Sequence, residues 1–284
     1  GIRDAQESRG LGDVYKRQKD YIVMAIPTDF DISSALENFE NHQTGLYPRS
    51  ERYTFFNTML DNIDWQNAVI LDLGGNRGNL LEDLQQQKIG KEENYYCLDV
   101  DHEALNFGKS NYPHANWIPH NAFNPMYNKA GVLSQKFPFE DSKFDVVCCY
   151  SVYSHTIHEN FIEDLKEIQR VLKPGGQVAI TFVDNESVRF FLDKRKADYP
   201  GKFIINEIDV NNALQEKRNE YIYFVDHDLL VDELHNASGI NHLVTVYHTE
   251  WLENELNSSG LNVTIKQPPQ GQHIQKTIVF NGKD

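Results

Sequence analysis

The sequence predicts an α/β fold with a mostly parallel sheet, and three observations carry that prediction. Short apolar segments alternate with amphipathic ones, as strands and crossover helices do in parallel sheets. The apolar run Val69–Leu71 is followed by Asp72 and then by a glycine-rich turn, 74–78. A second apolar segment ends in an acid, Asp99, which lies 21 residues beyond Gly78. This combination is typical of nucleoside-binding α/β proteins.

The predicted elements follow in order along the chain. Seven strands are expected near residues 68–73, 94–99, 115–118, 144–149, 176–183, 261–266 and 275–281. Five helices are expected near residues 50–61, 78–88, 102–109, 159–172 and 249–259. In the fourth helix, Leu165 and Ile168 have helical spacing and Lys166 lies on the other face. The turn 174–176, Pro-Gly-Gly, ends that helix and leads into the fifth strand.

The segment 184–248 is longer than a simple crossover between two strands. Residues 203–210 and 220–225 have β-like composition on either side of the polar stretch 211–219, which predicts a hairpin. A short helix is expected around three leucines, Leu229, Leu230 and Leu234.

The glycine-rich turn predicts a ligand site. Gly74, Gly75 and Gly78 can adopt φ > 0 and let a ligand approach the backbone, and the following helix start offers free N–H groups. Asn76 tolerates φ > 0 better than most residues. Residues 74–79 do not fit the G-x-G-x-x-G fingerprint, which disfavours a dinucleotide.

Further motifs suggest a family. In chain order they are Leu71-Asp72-Leu73-Gly74, Leu98-Asp99, Pro119-His120-Asn121-Ala122, the block 137–147 and the block 171–176. Together they resemble the class I S-adenosylmethionine-dependent methyltransferases, especially the small-molecule branch similar to methyltransferase families 11 and 25. The resemblance runs from about Ile63 to Phe182 and implies a Rossmann-like seven-stranded sheet. That sheet would have helices on both faces and end in an antiparallel hairpin.

The resemblance implies S-adenosyl-L-methionine as the cofactor and assigns residues to it. These are Asp72, Gly74, Gly75, Gly78, Asp99, Asn121, Ala122 and Tyr150. Asp72 would lie near the cofactor's amino group, and Asp99 would accept the ribose hydroxyls, with Asp101 as the alternative. Asn121 stands where the family often has Asp, and its carbonyl can still accept from the adenine amino group. Asn76 replaces the usual middle glycine of the turn.

The resemblance also offers a catalytic base. His155 aligns with a histidine that many relatives carry beside the methyl acceptor, and its pKa suits deprotonation of a hydroxyl or amine. Capping the next helix or orienting a loop is an equally open role for it. His158, Tyr153 and His248 are weaker candidates. Arg49 could pair with the cofactor carboxylate, although a solvated arginine is the favoured interpretation.

Composition restricts the partners. The formal net charge of −15 argues against a nucleic-acid substrate, which needs a basic surface. No apolar stretch approaches the roughly 20 residues of a membrane span. Cys97, Cys148 and Cys149 fall in predicted buried strands, which indicates reduced thiols and a cytoplasmic protein, and the Cys/His spacing suggests no metal site. We therefore expect a small-molecule methyl acceptor and a monomer or homodimer.

The chain is expected to have three parts. Residues 1–18 resemble a translated sequencing adapter, so we expect an artefact or a disordered tail there, with Met24 as a candidate start. Residues 19–60 would form an N-terminal helical lid. Residues 61–284 would form the methyltransferase domain, in which the insertion of about 184–248 caps the substrate.

The expected function is methyl transfer from S-adenosylmethionine to an O or N atom of a small molecule. Three alternatives stay open. A catalytically inactive cofactor-binding protein of the same fold is suggested by Asn76 and Asn121. A methyltransferase acting on protein or RNA is the second, with the acidic charge against RNA. A nicotinamide oxidoreductase is the third, disfavoured by the missing fingerprint.

Overall fold

The computed structural model describes residues 21–24, 51–124, 127–128, 130–133, 135–184, 187, 221–226, 242–268 and 275–283. Several expectations fall outside these ranges. They concern residues 1–18, Arg49, the β-like segment 203–210 and the leucine-rich segment 229–234. For those residues the sequence-based expectations remain predictions.

A single hydrogen-bonded sheet forms the centre of the described structure. Its strands are β1 Tyr21–Met24, β2 Ile70–Leu73, β3 Tyr95–Asp99, β4 Asn116–Pro119, β5 Phe144–Cys149, β6 Leu172–Asp184, β7 Tyr221–Asp226, β8 His242–Tyr247, β9 Thr264–Lys266 and β10 Lys276–Asn281. From β4 the order runs β4-β3-β2-β5-β6, with every neighbouring pair parallel. β10 runs antiparallel to both β6 and β9. The expected parallel sheet with a C-terminal antiparallel hairpin is confirmed.

Helices cover both faces of this sheet. They are α1 Arg52–Met59, α2 Asn79–Gln86, α3 His102–Asn111, α4 His158–Val171 and α5 Thr249–Ser258. On one face α4 and α5 contribute Phe161, Leu165 and Leu252 to a buried cluster; on the other, α1 and α2 contribute Phe56 and Leu80. Among the helices of the described ranges, none combines the length and the apolar character needed to cross a bilayer.

The sheet continues beyond the strands that the sequence predicted. At its carboxyl end β6 pairs in parallel with β8 through Val183 and Asp184, and β8 pairs antiparallel with β7, which in turn pairs with β1. β7 matches the β-like segment expected at 220–225, but its antiparallel partner is β8. β8 is absent from the predicted strands; it pairs with β7 at six positions and with β6 at two.

Candidate active site

The turn between β2 and α2 has the backbone geometry that its glycines predict. Gly74 and Gly78 have φ of +68° and +87°, and Asn76 has φ of +53°. Asn76 therefore occupies the left-handed region, as expected from its side-chain type. The Gly74 N–H donates to the carbonyl of Leu98 at 2.8 Å, which ties the turn to the end of β3.

All three glycines of the turn also lack room for a side chain. A Cβ on Gly74 would lie 2.1 Å from Val152 Cγ2, and a Cβ on Gly78 would lie 2.5 Å from Trp117 Cη2. Gly75 has ordinary φ, but its Cβ would lie 2.7 Å from Asp72 Oδ2. The turn is thus packed closely against the loop after β5 and against β4.

Asp99 lies at the carboxyl end of β3 and is 8% exposed. Its Oδ2 accepts the Asn76 N–H at 2.7 Å, and its Oδ1 accepts the Asp101 N–H at 2.8 Å. Each oxygen keeps acceptor capacity for a further donor. Asp101 caps α3 by accepting the N–H groups of Glu103 and Ala104, so its side chain already has a structural role.

Asp72 lies at the centre of β2 and is 4% exposed. Its Oδ2 accepts the hydroxyl of the buried Tyr95 at 2.5 Å. Burial raises the pKa of Asp72 to about 7, although the Tyr95 hydrogen bond and the charge of Arg52 both lower it. A bound cation beside this carboxylate would favour its ionised form.

Arg52, the first residue of α1, was missed by the sequence analysis, which considered Arg49 instead. Its guanidinium carbon lies 3.4 Å from the centroid of the Tyr150 ring, a cation–π contact. Its Nη1 is buried and has no hydrogen-bond partner among the described residues. A buried, unpaired N–H of a guanidinium is ready to bind an anion.

One cavity of about 310 Å³ connects these groups at the carboxyl ends of the parallel strands. The predicted residues that line it are Asp72, Gly74, Gly75, Asp99, Ala122, Tyr150 and His155. Gly78 and Asn121 do not line it. Gly78 packs against Trp117, and the exposed Asn121 accepts a hydrogen bond from Asn128 Nδ2 at 3.2 Å.

The loop after β5 forms another wall. Ser151 has φ of +59°, an unusual value for a residue other than glycine, and its N–H donates to Thr181 Oγ1 at 2.7 Å. β8 holds the next residues: Thr245 donates its N–H to the Ser154 carbonyl at 2.8 Å and its hydroxyl to the Thr156 carbonyl at 2.7 Å. His155 lies between these two anchored carbonyls and lines the cavity.

Part of the chain matches a known protein family. Residues 71–180 match the family model described as a methyltransferase domain. The chain therefore contains a methyltransferase domain over these residues.

Curated relatives resemble this methyltransferase domain over part of their length. Sterol 4-C-methyltransferase strm-1 of Caenorhabditis elegans is 34% identical over 111 residues, which cover 33% of each protein. The chain spans about two fifths or less of the length of the curated relatives it matches.

Solved structures show the same fold. The PH0226 protein of Pyrococcus horikoshii has a TM-score of 0.54 at 17% identity, with 86% of this chain and 99% of that chain covered. The glycopeptide N-methyltransferase MtfA, solved with S-adenosylmethionine, has a TM-score of 0.52 at 13% identity, with 84% and 95% covered. At these identities the likeness concerns the fold.

The methyltransferase domain also has buried polar residues at its cavity that the sequence analysis did not select. His120, Asn160 and Asp164 are 5%, 3% and 8% exposed, and all line the cavity. Asn160 and Asp164 lie four residues apart on α4, so both project from one face of that helix. Polar residues on an otherwise apolar helix face were the available signal.

Asp164 gives a pH-dependent prediction. Burial raises its pKa to about 7 from the ordinary 3.8, although the Tyr153 hydroxyl donates to it at 3.1 Å. Folding therefore favours the protonated acid, and this contribution to stability is complete below about pH 4 and lost as the pH rises through about 7. Asp164→Asn does not titrate, so its stability should rise relative to wild type from pH 5 to 7.

Urea unfolding of both proteins at pH 5, 6, 7 and 8 measures this difference. We expect a change on the order of 1 kcal/mol per pH unit between pH 5 and 7, which levels off by pH 8. The pKa of the buried Asp72 carboxyl is also about 7. Because Asp72 is present in both proteins, its contribution cancels in the difference between their unfolding free energies. A difference in unfolding free energy that stays constant with pH would contradict the prediction.

Proposed function

We propose that the protein transfers a methyl group from S-adenosylmethionine to an O or N atom of a small molecule. The observation that supports this most is the joint placement of Arg52, Asp72 and Asp99 around one cavity. The cofactor has an α-carboxylate, an α-ammonium and a ribose diol, and these three side chains complement those groups. In this function Arg52 would contact the carboxylate, Asp72 the ammonium group and Asp99 the ribose.

Arg52 and Asp72 fit the amino-acid end of the cofactor. The unpaired Nη1 of Arg52 would donate to the carboxylate, and the Asp72 carboxylate would attract the ammonium group. Tyr95 orients the Asp72 side chain, since its buried hydroxyl donates a hydrogen bond to Asp72 Oδ2. The aromatic ring of Tyr150 holds the guanidinium in place.

Gly74, Gly75 and Asp99 fit the middle of the cofactor. The absence of side chains at the two glycines leaves the backbone open to the cavity. The Asp99 oxygens, already oriented by two backbone N–H groups, would accept the two ribose hydroxyls. Ala122 would lie along the nucleoside further out.

His155 is our candidate base. The sulfonium of the bound cofactor supplies an activated methyl group, so the protein mainly has to position an acceptor. An acceptor hydroxyl or amine would lose its proton to the His155 imidazole as its oxygen or nitrogen bonds to the methyl carbon. S-adenosylhomocysteine and the methylated acceptor would be the products.

A small acceptor is favoured by the charge of the protein. The net charge of −15 opposes approach to a phosphate backbone. The relatives named as sterol and glycopeptide methyltransferases show that neighbours differ in acceptor.

Calorimetric titration of the full chain with S-adenosylhomocysteine tests the proposal, with reduced nicotinamide dinucleotide as the control ligand. We expect binding of the former in the micromolar range or tighter and none of the latter. Preferential binding of the nicotinamide ligand, or no binding of S-adenosylhomocysteine by the folded protein, would contradict it. Incubation with labelled S-adenosylmethionine and a panel of phenols, amines and carboxylates would then identify the acceptor.

Arg52→Met should weaken S-adenosylhomocysteine binding about 10- to 100-fold, because a charge-assisted hydrogen bond to the carboxylate is lost. Binding of 5′-methylthioadenosine, which lacks the amino-acid part, should change less than about threefold. Calorimetry with both ligands measures the two effects. An equal loss for both ligands would mean that Arg52 acts only by packing against Tyr150.

His155→Ala should leave S-adenosylhomocysteine affinity unchanged and slow turnover of the best acceptor about 100-fold or more, as removal of a general base does. Turnover and binding are measured on the same preparation, with the exposed His114→Ala as the matched control. Full activity of His155→Ala would remove this residue as the base.

A further inference from the structure

Two buried side chains at one end of the cavity have unsatisfied polar atoms. Both ring nitrogens of His120 and Oδ1 of Asn160 lack a hydrogen-bond partner among the described residues. Both side chains are more than nine-tenths buried, and both line the cavity. Buried polar atoms without partners are costly and rare, so their presence in one wall indicates a ligand that supplies the partners.

The position of this wall relates it to one part of the cofactor. The backbone N–H of His120 donates to the backbone carbonyl of Asp99 at 2.8 Å, so His120 lies beside the residue proposed to bind the ribose, on the neighbouring strand end. Arg52 and Asp72 line the cavity from α1 and β2, on the other side of Asp99 in the sheet. A cofactor with its amino-acid end at Arg52 and its ribose at Asp99 extends its base toward His120.

We propose that His120 and Asn160 recognise the amino edge of the adenine ring and make this site selective for a 6-aminopurine. Asn160 Oδ1 accepts the exocyclic amino group, and a ring nitrogen of His120 bonds the adjacent purine nitrogen. This inference rests on the proposed function, because it needs the cofactor in the cavity.

The local contacts fix the hydrogen-bonding direction of Asn160. Its Nδ2 donates to the Phe123 carbonyl at 2.6 Å. Rotating the amide by half a turn would place Oδ1 against that carbonyl, so Oδ1 faces the cavity as an acceptor. The amino group of adenine can donate a hydrogen bond to Oδ1. The oxo group of hypoxanthine is itself an acceptor, so the two oxygen atoms would repel each other.

His120 is held as a neutral ring. Its imidazole packs edge to face on Phe137, with the ring centroids 5.4 Å apart and the planes at 83°. Burial lowers the His120 pKa to about 4, so at neutral pH the ring carries one donor and one acceptor. Either tautomer can bond a purine edge, and we therefore assign most of the selectivity to Asn160.

Asn121, the residue that the family resemblance assigns to adenine, is on the outside. It is exposed, does not line the cavity and receives a hydrogen bond from Asn128. Successive residues of an extended segment point to opposite sides, so the inward position next to Pro119 falls to His120. We therefore assign the purine contact to His120 and to Asn160 of α4 instead of Asn121.

The test compares calorimetric affinities for S-adenosylhomocysteine and S-inosylhomocysteine, which differ at the purine 6-position. We expect wild type to prefer the adenosyl ligand about 10- to 100-fold, as a fixed buried acceptor does. Asn160→Leu should reduce this preference to less than about threefold, and His120→Phe should weaken adenosyl binding. Asn160→Asp should keep the preference, since a protonated carboxyl can donate to Phe123 and still accept with its other oxygen.

The exposed His114→Phe serves as the matched control for the histidine substitution, and its preference should equal that of wild type. Thermal melting establishes that each variant is folded, and the ratio of the two affinities is insensitive to a general loss of stability. An unchanged ratio in both Asn160→Leu and His120→Phe would overturn the inference, as would loss of the preference in Asn121→Ala alone. Failure of wild type to bind S-adenosylhomocysteine at all would overturn the proposed function instead.

Discussion

Gly74→Ala is expected to lower the free energy of unfolding by about 2–4 kcal/mol. Two effects add at this position. Alanine at φ of +68° is strained, and its Cβ would lie 2.1 Å from Val152 Cγ2. Because Val152 follows β5 in the loop that lines the cavity, the clash would displace both walls of the site. Urea unfolding measures the loss, and S-adenosylhomocysteine affinity should fall with it.

Gly175→Ala separates the two effects. Gly175 has φ of +72°, nearly that of Gly74, but a Cβ there would have nothing within 4 Å. Its substitution should therefore cost only the backbone strain, about 1 kcal/mol. Adding Val152→Ala to Gly74→Ala should recover part of the loss by removing the clashing methyl group. Equal losses for Gly74→Ala and Gly175→Ala would show that the contact with Val152 is relaxed without cost.

Asp99→Ala is expected to raise the Kd for S-adenosylhomocysteine about 10- to 100-fold, which is a loss of about 1–3 kcal/mol in binding free energy. The substitution removes the proposed ribose acceptor and also the acceptor for the Asn76 and Asp101 N–H groups. Calorimetry gives the affinity, and thermal melting shows how much of the effect comes from the turn itself.

Glu103→Gln is a suitable control for Asp99→Ala, because it removes a nearby exposed negative charge on α3. Its affinity for S-adenosylhomocysteine should match that of wild type. Unchanged affinity in a folded Asp99→Ala protein would mean that the ribose binds elsewhere.

Most of the fold was predictable because its signals are local. An apolar strand, a glycine turn and an amphipathic helix each occupy a few consecutive residues, and their bounds agree with β2, the turn 74–78 and α2. β8 was not predicted, since each of its contacts depends on tertiary structure. Its pairing with β7 spans residues 227–241, and its contacts with β6 and with the loop at Ser154 join residues still farther apart.

The site was predictable where the backbone defines it and less so where side chains meet. Gly74, Gly75 and Asp99, which line the cavity, follow from spacing alone, whereas Gly78 packs against Trp117 outside it. Arg52 did not, because only the tertiary packing of α1 brings it over Tyr150. Asn121 illustrates a different limit: a displacement by one residue exchanges the inward and outward faces of an extended segment. The motif places a candidate segment after β4, and the alternation along that segment brings His120 and Ala122, but not Asn121, into the cavity wall.

The attachment of β8 to the loop around His155 has a consequence for how such proteins diverge. Thr245 fixes the carbonyls on either side of His155, whereas Asp72 and Asp99 are anchored by Tyr95, Asn76 and Asp101. Two sets of restraints therefore hold the two halves of the cavity. A change in the position of β8 would move His155, the proposed base, while the groups around Asp99 keep their positions. Under the proposed function, acceptor preference would then change independently of cofactor affinity.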